Sequence, residues 1–71
     1  MENITENIVE KDGTIIVLDS VRVHYKAWIK DGKNVDSLEI VGINQIHADD
    51  IHPAILEGFR LDILPTIENN L

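Results

Sequence analysis

The chain has no cysteine, so no disulfide framework or thiolate metal site can support it, and nothing in its composition points to an oxidising compartment. Proline occurs only at Pro53 and Pro65, and the four glycines are scattered, so no Pro/Gly-rich linker divides the sequence. Without repeats or low-complexity segments either, one small domain over 1–71 is expected, with polar ends at 1–7 and 66–71 that fray. Long apolar runs are absent. No segment approaches the roughly 20 apolar residues of a membrane span, and Met1–Glu6 lacks the basic and apolar regions of a secretory signal, so the expectation is a cytoplasmic protein with no membrane association. Basic residues are few. Six Lys and Arg against thirteen Asp and Glu give a net charge of −7, which argues against direct contact with nucleic acid, because phosphate neutralisation needs cations. An acidic surface suits a basic partner, and it also keeps a small protein soluble. Nucleic-acid charge mimicry, as in small phage-type inhibitors of nucleic-acid-handling proteins, is an alternative, but the acids here are dispersed rather than set in phosphate-like rows.

What is present is β-branched and alternating. Asp12-Gly13 reads as a turn, and Thr14 to Leu18 as a strand buried on both faces, broken by Asp19-Ser20. From Val21 to Ile29 the pattern alternates, with Val21, Val23, Tyr25, Ala27 and Ile29 on one face and Arg22, His24, Lys26 and Trp28 on the other. Asp31-Gly32 is a strong hairpin signal. The return strand runs from about Asn34 to Val41, with Leu38 and Ile40 as apolar anchors and Gly42 permitting a bulge or bend. Asp49-Asp50 then offers a helix cap, and Pro53 suits the first turn. Ile51, Ile55, Phe59 and Ile63 recur every four residues, widened by Leu56 and Leu64, and the helix is expected to stop before Pro65. Gly58 in its middle suggests close packing against a sheet. The fold class expected is α+β: a small antiparallel sheet, made of a lead-in strand plus a β-hairpin, against one amphipathic helix. Tyr25 and Phe59 are expected in its core.

Val21, Val23, His24, Tyr25, Asp31, Gly32, Asp36 and Ser37, followed by Pro53, Ala54, Glu57, Gly58 and Phe59, resemble the motifs of FKBP-type peptidyl-prolyl isomerases. Ile8, Val9, Asp12 and Gly13 are similar to that family's opening strand and turn. The resemblance runs to about Leu64 and implies an FKBP-like front half without the family's last strands. By the same resemblance the binding pocket would comprise Tyr25, Val35, Asp36, Ile51, His52 and Ile55. Its family counterpart is an aromatic bowl, of which this chain matches Tyr25 and Asp36. Val35 stands at a phenylalanine position, Ile55 at the tryptophan floor, and His52 where the family has an isoleucine. A family mechanism that favours a twisted X-Pro amide in a desolvated pocket works poorly in such a shallow aliphatic site.

Other constellations have plainer readings. His47, Asp49, Asp50 and His52 could hold a divalent ion, but a spacing of five does not stack the histidines on one helix face, and a solvated helix entrance explains them; no metal or cofactor is expected. His24 has no serine or cysteine nucleophile near it in sequence, so catalytic use is not expected. Trp28 either covers the helix or rests beneath lysine side chains, with a partner-binding anchor as the alternative. The function expected is a non-catalytic or very weakly active FKBP-like module that recognises a protein or peptide partner. A weak proline isomerase and the acidic inhibitor are the alternatives. The sheet is expected to be completed by a second chain, either another copy in a homodimer or a partner, because the strand carrying Val23 would otherwise expose an unpaired edge.

Overall fold

The computed structural model describes residues 7–71. Strand β1 (Ile8–Val17), β2 (Val21–Lys30), β3 (Asn34–Ile43) and the short β4 (Ile46–His47) form one antiparallel sheet in the order β1-β2-β3-β4. A single 3-10 turn at Ala48–Asp50 leads into helix α1 (Pro53–Asn69), which lies on one face of the sheet, chiefly over β3. The architecture is α+β, as the residue pattern predicts.

β1 is twice the expected length. It pairs with β2 without interruption from Ile8↔Lys30 to Val17↔Val21, and Asp12-Gly13 lies inside this ladder rather than at a turn. The strand is also not buried on both sides: Gly13, Ile15 and Val17 face the helix half-buried, while Thr14 and Ile16 are exposed on the other face. Gly13 has a packing role. It sits opposite Tyr25, and a Cβ there would overlap the Tyr25 ring, which covers the glycine. β1 occupies the place beside β2 that a second chain was expected to fill, so the strand carrying Val23 is central.

The turns follow their φ angles. Leu18 (φ 52°) and Asp19 (φ 66°) are both left-handed, as are Asp31 (φ 56°) and Gly32 (φ 68°), the signature of type I′ hairpin turns. Asp31 and Asn44, each left-handed, end ladders in the same way. The Asp31 N–H donates to the Asn7 carbonyl (2.7 Å) while its Oδ1 accepts from the Asn7 N–H (3.4 Å). The Asn44 N–H donates to the Arg22 carbonyl (2.7 Å) and its Oδ1 accepts from the Arg22 N–H (3.0 Å). Leu18 has no such compensation: it is 80% exposed, in a conformation that costs a leucine about 1–2 kcal/mol. Leu18→Asn is therefore expected to stabilise the protein by about 1 kcal/mol and raise Tm by roughly 4–8 °C, read by a thermal melt.

Two bulges in β3 keep its apolar side chains on the core face. β2 places Val23, Tyr25, Ala27 and Ile29 at a strict period of two, and their partners on β3 are Ile43, Ile40, Leu38 and Val35. Asp36 and Val41 are the extra residues, each without an opposite number on β2. Without them, a period-two strand would turn half of these apolar residues to solvent. Gly42 follows the second bulge where β4 folds back, and a Cβ there would come within 2.8 Å of the Ile46 carbonyl oxygen.

The helix differs from its sequence reading at both ends and on its buried face. It continues through Pro65 to Asn69, and Ile67 is buried, so 66–69 are helical rather than frayed; the expectation of frayed ends at 1–7 falls, Asn7 apart, outside the described residues. Its cap is His52, whose Nδ1 accepts from the Ala54 N–H (3.0 Å), and not Asp49 or Asp50, which lie in the preceding 3-10 turn. The face toward the sheet carries Ile63 and Ile67, with Leu56, Phe59 and Leu64 half-buried beside them. Ile55 is 51% exposed, so it is not on the buried stripe. A Cβ at Gly58 would meet nothing within 4 Å, so this glycine has no packing role. Val23, Ala27, Ile29, Leu38, Ile40 and Ile43 complete the buried core, against which Tyr25 also packs.

Candidate binding surface

The features left for function are the sheet's second face and its β1 edge. Among the described residues, nothing pairs with β1 on the side away from β2. The ladder's phase is fixed by Asn7 and Asp31, which are hydrogen-bonded across it. Hydrogen-bonded pairs alternate along antiparallel strands, so the odd residues from Val9 to Val17 direct their N–H and C=O toward β2. Ile8, Glu10, Asp12, Thr14 and Ile16 direct theirs off the sheet. The side chains of the same five residues point to the face away from the helix, and Ile8 and Ile16 are 41% and 61% exposed.

That outer face carries Arg22, His24, Lys26, Trp28 and Lys30 along β2, with Ser37, Glu39 and Gly42 beside them on β3. Trp28 is half-buried on this side, between Glu10 and Ser37, and therefore does not cover the helix. His24 is held by both ring nitrogens: Nδ1 bonds the Thr14 hydroxyl (2.9 Å) and Nε2 the Asn44 carbonyl (3.0 Å), joining β1, β2 and the β3–β4 turn. Such a wired ring is a strut rather than a free base. At this end of the face a concavity of about 850 Å³ is lined by residues that include Ile16, Asp19, Arg22, His24, Asn44 and Ile46. Lys26 lies opposite Asp12 in the ladder, and its ammonium is 4.0 Å from the Glu10 carboxylate.

The residues expected to form a pocket are spread out. Tyr25 sits mid-sheet on the helix side, and Val35 is four β2 positions further along the ladder, about 13 Å away at strand spacing. Asp36 is the exposed bulge residue, Ile51 half-buries at the end of the 3-10 turn, His52 caps the helix, and Ile55 projects from its exposed side. The concavities that include Tyr25 are lined by residues of β1, β2 and the helix C-terminus or by Val41, and by none of the other five.

The histidines near the helix entrance have local roles. His47 Nδ1 accepts from the Asp49 N–H (3.2 Å) and His52 caps α1. Among the described residues no group of three His, Asp or Glu is gathered as a metal would require. On the helix surface, Arg60 donates through Nε to Glu57 Oε1 (2.8 Å) and through Nη2 to Oε2, and this pairing holds the Glu57 carboxyl below the usual carboxylate range. No described helix is long and apolar enough to cross a membrane. No family model, curated protein or solved structure matches the chain.

The β1 edge was hidden in the sequence by reading Asp12-Gly13 as a turn. The alternation of Ile8, Glu10, Asp12, Thr14 and Ile16 with Val9, Lys11, Gly13, Ile15 and Val17 was the signal, and the interior glycine belonged to a strand in which an opposite aromatic covers it.

Proposed function

We propose that the chain is a non-catalytic binding module that recognises a protein or peptide partner by strand addition to the free edge of β1. The observation that carries this reading is the ten-residue outer strand, with backbone groups at Ile8, Glu10, Asp12, Thr14 and Ile16 directed away from the sheet. An added strand gains affinity from such main-chain groups and specificity from alternate side chains. The FKBP resemblance of the sequence fits this reading better than catalysis, because Val35 and Ile55 stand where that family has aromatic pocket residues. The alternative, a weak proline isomerase, needs a floor under the substrate amide, and Ile55 at the floor position is half-exposed.

Two measurements test the reading. In a proline-peptide assay the protein is expected to leave the cis/trans rate at its uncatalysed value; acceleration comparable to an intact FKBP would establish the enzyme instead. Thr14→Pro deletes an outward N–H without removing a β1–β2 backbone hydrogen bond, and edge positions tolerate proline; Thr14→Val, which loses only the hydroxyl's bond to His24, is the control. The variant is expected to keep its far-UV circular dichroism and to lose binding of extended peptides. Undiminished binding by a folded Thr14→Pro protein would place recognition elsewhere.

A further inference from the structure

The chemistry along β1 specifies the occupant of its edge. Resting on the strand-addition reading, we infer that the partner segment is a basic, amphipathic strand, with Lys or Arg opposite Glu10 and Asp12 and apolar residues opposite Ile8 and Ile16. Four observations support this. Glu10 and Asp12 lie on the same outer face, two residues apart, so alternate residues of an added strand would meet both. Among the described residues, Lys26 is the one cation within ion-pair distance of either acid, 4.0 Å from the Glu10 carboxylate, and Asp12 has no ion pair. Exposed Ile8 and Ile16 bracket the acids on that face. The protein as a whole carries −7, which favours approach of a cationic segment over an acidic one.

A second copy of the chain fits this edge badly. A two-fold axis normal to the sheet pairs residues of equal parity. The register that matches the apolar side chains, Ile8 on Ile16 and Val9 on Ile15, sets Asp12 against Asp12. Moving the centre to Lys11 opposes Lys11 with Lys11 and Glu10 with Asp12; moving it to Gly13 sets Glu10 against Ile16. Like charges directly opposite destabilise a strand pair. These central charges therefore guard the edge against self-pairing while leaving it open to a cationic strand.

The test uses the full chain, ¹⁵N-labelled, titrated with three ten-residue peptides of one β-branched framework. They carry Lys, Gln or Glu at the two positions that face Glu10 and Asp12. The Lys peptide is expected to bind roughly tenfold or more tighter than the Glu peptide at low salt, with the Gln peptide between them. The difference should shrink as salt rises, with the largest amide shifts on β1. Glu10→Gln with Asp12→Asn should bring the three affinities together while the fold is kept. Equal binding of all three peptides on β1 would overturn the charge assignment and leave strand addition standing. Shifts elsewhere, or no binding by any of them, would overturn both. β1 amides protected without peptide, with self-association that Asp12→Asn strengthens, would make a second copy the occupant and overturn the basic-strand inference.

Discussion

Ile63→Ala is expected to remove about 2–5 kcal/mol of stability, whereas Ile55→Ala should change it by no more than about 0.5 kcal/mol. Ile63 is 0% exposed, against a core in which the largest other fully buried side chain is Val23, so truncation leaves a cavity between sheet and helix. Ile55 is half in solvent and has little to lose. A domain of 71 residues has on the order of 4–10 kcal/mol in total at typical values per residue, so the Ile63 variant should be partly unfolded at 37 °C. Denaturant titration of both variants reads the difference. Equal losses would mean that the helix presents its four-residue Ile51–Ile55–Phe59–Ile63 stripe to the sheet after all.

Pro65→Ala is expected to stabilise the protein by about 2 kcal/mol. Proline inside a helix costs about 3 kcal/mol, because it cannot donate to the Leu61 carbonyl and its ring crowds the preceding turn. Against that, alanine returns about 0.4–1 kcal/mol of freedom to the unfolded chain. Pro65 is exposed, so no core contact is lost with its ring. The thermal midpoint should rise by several degrees with unchanged helix content. A fall in stability would show that the last turn, with buried Ile67, depends on the geometry that the proline imposes.

These two positions show where the sequence was legible and where it was not. The β2 alternation, the Asp31-Gly32 turn and the Leu38 and Ile40 anchors could be read directly, because a local period or a local φ requirement determines each of them. Pro65 misled the boundary because propensity is a local preference, and burying Ile63 and Ile67 on the core outweighs the cost of one broken hydrogen bond. Gly42 hinted at the bulge beside it at Val41, but why β3 needs that bulge and the one at Asp36 was illegible for another reason. They exist to align β3 with the strict period of β2, and that requirement appears only when both strands are paired. The same holds for His52, whose ring nitrogen does the capping expected of an aspartate. Of the six expected pocket residues, Tyr25 lines two concavities and none of the other five joins it there; the β1 edge proposed as the binding surface was illegible because Asp12-Gly13, a turn signal in isolation, lies inside a strand.

The edge of β1 is therefore the place to measure. Native-state amide exchange of the free protein, resolved residue by residue along β1, is predicted to alternate. Val9, Lys11, Gly13, Ile15 and Val17 should be slowed by their bonds to β2, whereas Ile8, Glu10, Asp12, Thr14 and Ile16 should exchange close to the rate of an open chain until an extended partner is added. Uniform protection of all ten amides in the free protein, or odd and even residues exchanging equally fast, would contradict an open, ordered edge and with it the proposed mode of recognition.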